Sequence, residues 1–273
     1  MPQIDANGLS HHVIVEGDGP AVLLLHGFPD TAEMWRAQIS ALGDAGFRTI
    51  APDLRGRGNT EQPAWVEDYA LPNIVQDVVA IMDALGVERA HVVGHDWGAV
   101  VAWSLAAYLP DRVSSLVALS VGHPGAVTRP TIEALQKGWY RLLFLSDSAE
   151  TVLQQDDWYL MRTLLDGQSN FERHRTTLSA PGALSAGLNW YRANLPIERL
   201  SGGRSALPAV RADTLGVFGA HDRYLAEDGM SRSETQVRGS WQYERFDDAG
   251  HWLQTDESER FNRLLLEFLA ARH

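Results

Sequence analysis

Asp96 stands in Val92-Val93-Gly94-His95-Asp96-Trp97-Gly98-Ala99, a strand-to-helix turn pattern with aspartate at the place of the usual serine nucleophile. Apolar residues run up to Gly94, and Ala99 to Tyr108 reads as a helix. Glycine two places before and two places after the central residue lets the chain turn sharply, which pushes the Asp96 side chain out at the top of a sheet. A carboxylate so placed attacks carbon directly and forms an ester. Its fitting substrates are strained or halogenated carbons rather than amides. The plainer alternative is that Asp96 only caps the helix after it.

An ester on Asp96 must then be hydrolysed, which calls for a base to activate water and an acid to orient that base. Both follow in the chain in the expected order. The strand Leu215 to Phe218 ends in Gly219-Ala220-His221-Asp222-Arg223, so Asp222 lies just past a strand end, where ligands gather in open α/β sheets. The strand ending at Phe246 leads through Asp247-Asp248-Ala249-Gly250 to His251, on a loop before the last helix. Histidine titrates in the useful range. Each could be a plain structural residue taken alone. Asp247 and Asp248 are weaker partners for His251, because adjacency in sequence does not aim a side chain across a site. His26-Gly27-Phe28-Pro29-Asp30 follows the apolar run Val22 to Leu25. The N–H groups of Phe28 and Trp97 are the expected oxyanion donors. His26 is expected to orient this turn rather than act as a base.

Short apolar runs alternate with amphipathic stretches, the signature of a parallel sheet with crossover helices. Strands are expected at His12 to Val15, Ala21 to Leu25, Thr49 to Pro52, Ala90 to Gly94, Ser114 to Val121, Thr214 to Phe218 and Trp241 to Phe246. Helices are expected around Trp35 to Leu42, over Leu71 to Leu85 and over Glu257 to Ala271. Between Pro124 and Arg204 the chain is rich in Trp, Tyr, Leu, Arg and Gln at helical spacing, without a clear strand. The fold class is therefore α/β, a mostly parallel sheet flanked by helices, with a core at 1–123 and 206–273 and a helical cap inserted at 124–205. Ser201-Gly202-Gly203-Arg204-Ser205 suits a return from cap to core.

The chain has 273 residues, a net charge of −12 and no cysteine. The charge argues against nucleic acid and anionic membranes as partners, and the missing thiols remove disulfides and thiolate metal sites. The N-terminal Met1-Pro2-Gln3-Ile4-Asp5 has neither a basic segment nor an apolar core of a signal peptide, and no run of about 20 apolar residues is present. A cytoplasmic protein is expected, of unspecified oligomeric state. Asp53-Leu54-Arg55-Gly56-Arg57-Gly58 lacks the dinucleotide fingerprint, and His11-His12 and Arg173-His174-Arg175 lack zinc spacing. No cofactor and no metal are expected. His123 reads as structural.

Together, His26-Gly27-Phe28-Pro29, Gly94-His95-Asp96-Trp97-Gly98, Gly219-Ala220-His221-Asp222 and Gly250-His251-Trp252 resemble the epoxide hydrolases of the α/β-hydrolase superfamily, over nearly the whole chain. Asn189-Trp190-Tyr191-Arg192 and Trp139-Tyr140-Arg141-Leu142-Leu143-Phe144 are similar to the two cap segments in which that family carries its ring-opening tyrosines. The resemblance implies that Tyr140 and Tyr191 hold the oxygen of a small apolar epoxide, Asp96 attacks a ring carbon, and His251, oriented by Asp222, activates water to release a vicinal diol. Tyr69, Tyr108, Tyr159, Tyr224 and Tyr243 are assigned to packing. A haloalkane dehalogenase is the first alternative, with Trp97 and one of Trp139, Trp158 or Trp190 holding halide. A hydrolase-fold receptor that binds without turnover is the second.

Overall fold

Four of the five residues of Ala21–Leu25 are buried, as are all six of Ala90–His95, which is the burial of strands covered on both faces. The computed structural model describes residues 3–165, 171–198 and 207–272. Its first half runs β1 (Gln3–Ala6), β2 (Leu9–Glu16), β3 (Ala21–Leu25), α1 (Arg36–Asp44), β4 (Arg48–Pro52), α2 (Leu71–Ala84), β5 (Ala90–His95), α3 (Trp97–Tyr108) and β6 (Val113–Leu119). Five helices follow: α4 (Ile132–Lys137), α5 (Tyr140–Leu145), α6 (Ala149–Leu164), α7 (Phe171–Leu178) and α8 (Ala183–Asn194). The chain closes with β7 (Asp213–Gly219), α9 (Glu227–Ser231), β8 (Trp241–Phe246), α10 (Leu253–Asp256) and α11 (Ser258–Ala270).

The eight strands form one sheet in the order β1-β2-β4-β3-β5-β6-β7-β8. The β1–β2 and β2–β4 pairs are antiparallel, and every later pair is parallel. Parallel pairing aligns the carboxyl ends of β3, β5, β7 and β8 along one edge, and the loops from these ends carry Phe28, Asp96, Asp222 and His251. Helix α3 lies under this edge. Its Gly98 sits so close to β3 that a Cβ there would fall 2.0 Å from the Leu25 carbonyl oxygen.

The structure adds β1 to the strands expected from sequence, starts β2 three residues earlier, at Leu9, and ends β6 two residues sooner. The edge strand β1 is too short and polar to show a pattern. Strand β6 stops at Leu119, because Ser120 takes a φ of +66° and turns its hydroxyl to donate to the His251 carbonyl at 2.8 Å. Helix α6 is interrupted by non-helical backbone from Gln155 to Trp158. The return expected at Ser201 to Ser205 lies outside the described residues. Among the described residues no helix is long and apolar enough to cross a membrane.

Candidate active site

Asp96 holds φ +53° and ψ −120° between β5 and α3. A non-glycine residue in this region costs of order 1–3 kcal/mol and persists only where its surroundings enforce it. The turn aims the carboxylate at the β3 loop, where the Phe28 N–H donates to Asp96 Oδ1 at 2.9 Å. This approach needs Gly27, since a Cβ there would lie 2.4 Å from the Asp96 Cβ. His26 anchors the same turn: its Nδ1–H donates to the Gly27 carbonyl at 2.8 Å and its Nε2 accepts the Leu54 N–H at 2.9 Å. The Trp97 N–H is the first of helix α3, at the positive end of that helix.

His251 Nδ1–H donates to Asp222 Oδ2 at 2.7 Å, and its Nε2 lies 3.7 Å from Asp96 Oδ2. Asp222 Oδ1 accepts the N–H groups of Tyr224 and Leu225 at 2.7 and 2.9 Å, so this carboxylate is fixed at both oxygens. The His251 carbonyl accepts from Ser120 and from His95 Nε2–H at 2.9 Å. Asp96, His251 and Asp222 therefore lie in a line, all three buried, with His251 bonded to Asp222 and facing Asp96. Asp247, by contrast, is exposed and pairs with Arg245, and Asp248 is exposed.

The charges in this line are mutually set. Burial alone would lower the His251 pKa, but Asp222 and then Asp96 outweigh it and raise it to about 10. Burial works against the charge on Asp96 as well, yet His251, His95 and the Phe28 N–H hold its pKa below the ordinary carboxylate value. His95 goes the other way: burial, reinforced by the charge on His251, pulls it to about 4, so it is neutral beside a charged neighbour.

A small cavity of about 30 Å³ opens over Asp96 and His251. Tyr140, Phe144, Met161, Leu164, Leu165 and Tyr191 line it from α5, α6 and α8, with Phe28, Tyr224 and Trp252 from the sheet side. The rings of Tyr140 and Tyr191 are 6.3 Å apart. Burial first, then the charge on Asp96, raises both phenol pKa values, so both keep their protons. The rings of Trp97 and Tyr191 meet edge to face at 5.2 Å. Helix α8 is held by Arg192, which grips Glu150 on α6 through two bonds of 2.7 and 2.8 Å.

Tyr224, assigned to packing from sequence, lines this cavity. Its ring lies 5.0 Å from that of His251, and its hydroxyl donates to the Leu164 carbonyl at 2.5 Å. The only local signal was its place two residues after Asp222, within reach of an aspartate turn. Trp252 was visible only as part of a motif. Its indole N–H donates to the buried Asp30 at 2.7 Å and its ring lies 4.8 Å from that of His251. His123 does not line the cavity; its Nε2–H donates to the Pro208 carbonyl at 3.1 Å. Nor do Trp139, Trp158 and Trp190 line it. Trp139 is half exposed, and the Trp190 N–H is committed to the Arg55 carbonyl at 3.0 Å. The Asp53–Gly58 loop is internally tied, with the Asp53 carboxylate accepting the N–H groups of Ala32 and Asn59 and Arg55 doubly bonded to Asp77.

The fold, with its sharp turn into α3 at the edge of a mostly parallel sheet, is that of an α/β hydrolase, and the family described as alpha/beta hydrolase fold matches residues 20–258. Over 282 residues the chain is 31% identical to the AB hydrolase superfamily protein YfhM of Bacillus subtilis, covering 97% of this chain and 96% of that one. It is also 31% identical over 309 residues to Epoxide hydrolase A of Mycobacterium tuberculosis, again covering 97% and 96%. A mutant of an epoxide hydrolase from Bacillus megaterium, solved with its naphthyloxy-propanediol product, superposes with a TM-score of 0.90 at 25% identity, over 98% of this chain and 100% of that one. The chain belongs to the α/β-hydrolase family and, within it, stands with the epoxide hydrolases.

Proposed function

We propose that this protein adds water to small apolar epoxides and releases vicinal diols, through an ester formed on Asp96. The observation that carries the proposal is the pairing of two buried, protonated phenols with a buried, ionised carboxylate across one apolar cavity. Tyr140 and Tyr191 hold the epoxide oxygen and supply a proton as the C–O bond breaks, while Asp96 Oδ2 attacks the ring carbon from the opposite side. Asp96 Oδ1, already held by the Phe28 N–H, becomes the ester carbonyl oxygen.

Ester formation removes the negative charge of Asp96. One of the two carboxylates that raise the His251 pKa is then gone, so that pKa falls. The imidazolium returns its proton to the tyrosine that gave one up, and the neutral Nε2 takes a proton from water. The resulting hydroxide attacks the ester carbon. Charge collects on Oδ1 beneath the N–H groups of Phe28 and Trp97; the ester C–O bond then breaks, the leaving alkoxide takes the proton of the hydroxyl just added to the Asp96 carbon, and the diol leaves with the Asp96 carboxylate and the protonated His251–Asp222 pair restored.

Among the described residues the lining is aromatic and aliphatic around these few polar groups and contains no lysine or arginine, which favours aryl and alkyl epoxides over carboxylate-bearing ones. Halide release is the less favoured reading, because the Trp190 N–H is committed to the Arg55 carbonyl and neither Trp139 nor Trp158 lines the cavity. The test is product analysis with a panel of aryl and alkyl epoxides and haloalkanes, alongside Asp96→Ala. Diol from epoxides, lost in the variant, supports the proposal; halide release without diol overturns it.

A further inference from the structure

Arg57 is 2% exposed, yet none of the ion pairs among the described residues involves it. Asp30 and Asp53 act on it only at longer range, and burial lowers its pKa to about 10. Leaving a guanidinium buried without a directly bonded carboxylate is costly, so its contacts are informative. Nη2 donates to the Pro29 carbonyl at 2.5 Å and Nη1 to the Ala183 carbonyl, at the start of α8, at 3.4 Å. The guanidinium carbon sits 5.2 Å from the centre of the Phe28 ring. On α8, Gly187 packs against both: a Cβ there would lie 2.5 Å from the Phe28 ring and 2.8 Å from Arg57 Nη1. Arg57 therefore touches the residue whose N–H bonds Asp96, the residue after it, and the helix that carries Tyr191.

A narrow gap of about 10 Å³, lined by His26, Gly27, Phe28, Arg57, Trp97 and Trp190, lies behind the Phe28 turn. A side chain bordering a void lacks the opposing contacts that would fix it. The geometry points to Arg57 as the positioning residue of the oxyanion turn, clamping Phe28 and Pro29 to the cap helix so that the Phe28 N–H stays aimed at Asp96 Oδ1.

This inference rests on the ester mechanism proposed above, and it separates the two steps of that mechanism. During ring opening Asp96 loses charge, so a weaker Phe28 hydrogen bond and a missing cation do not slow the step. During ester hydrolysis charge builds on Oδ1, so a misplaced Phe28 N–H does slow it. Misplacement by about 1 Å can cost on the order of a hundredfold.

The experiment is a single-turnover reaction with an aryl epoxide, following the alkylated protein by intact mass and the diol by chromatography, for the wild type, Arg57→Met and Arg57→Lys. Arg57→Met is expected to alkylate within about twofold of wild type but to release diol at least about tenfold more slowly, so the ester accumulates. Arg57→Lys, which keeps the charge and one donor, is expected to fall between. If the Met variant does not fold, Arg57→Gln carries the same comparison. Equal slowing of both steps, or of neither, overturns the role of Arg57 while leaving the mechanism standing. A wild type that makes diol with no ester overturns the mechanism and this inference with it.

Discussion

His251 Nε2 stands 3.7 Å from Asp96 Oδ2, too far for a good hydrogen bond and close enough for each group to set the charge of the other. The same gap gives a proton acceptor a place beside the carboxyl carbon that water must attack. Replacing His251 by Gln should leave ring opening intact and stop the second half of the reaction. Turnover should fall by about a hundredfold to ten-thousandfold, with one substrate equivalent remaining on the protein by intact mass. Steady turnover within tenfold of wild type would remove His251 from the role of base.

Tyr140 and Tyr191 approach the cavity from different helices, and Tyr191 packs edge to face on the Trp97 ring. Each Tyr→Phe change should slow ester formation by about tenfold to a hundredfold, and the double change should nearly abolish it. Hydrolysis of preformed ester should be much less affected. Rapid-quench measurement of the alkylated protein separates the two. Unchanged alkylation in the double variant would return both tyrosines to packing.

The raised His251 pKa and the lowered Asp96 pKa set a window for stability. His251 binds its proton more tightly folded than unfolded, so its contribution is full below its ordinary value of 6.5 and is lost as pH rises toward about 10. Asp96 contributes fully above its ordinary value of 3.8 and loses that contribution as pH falls through its lower folded pKa. Melting temperatures across this range should therefore decline on the alkaline side in the wild type, and His251→Gln should flatten that decline. A steeper alkaline decline in the variant would contradict the assignment.

Arg192 joins α8 to α6 through the paired bonds to Glu150 and a 3.2 Å bond to the Ser146 carbonyl. Both side chains are partly exposed, so Arg192→Met should cost only about 1 kcal/mol of stability. Its larger effect should fall on kcat/KM, lowered about tenfold because the helix bearing Tyr191 loses its fixed height over Asp96. Urea unfolding and steady-state kinetics on the same preparation check both, and an unchanged kcat/KM would deny the coupling.

The positions of Asp96, Asp222 and His251 were legible because each follows a recognisable strand, apolar for β5 and β7 and alternating for β8, and parallel strands bring their carboxyl ends to one edge. The two glycines of the elbow also state a local geometry that needs no distant contact. Tyr224 was not legible, since its place over His251 depends on the turn made by Asp222 and on the Leu164 carbonyl of a helix far away in sequence. Arg57 reads as one more residue of a polar loop; its partners, Pro29 and Ala183, are 28 and 126 positions distant. The end of β6 at Leu119 was obscured because Ser120 and Val121 continue an extended-looking pattern, while the positive φ of Ser120 answers to the His251 carbonyl.

In the proposed mechanism an Asp96 oxygen, not a water oxygen, enters the product first. A single turnover with protein in excess, run in heavy-oxygen water, tests it directly. The first diol is expected to carry only ordinary oxygen, and the heavy oxygen to appear in the peptide containing Asp96. Heavy oxygen in the diol from that first turnover, with an unlabelled Asp96 peptide, would mean that water attacks the epoxide directly and that no ester forms.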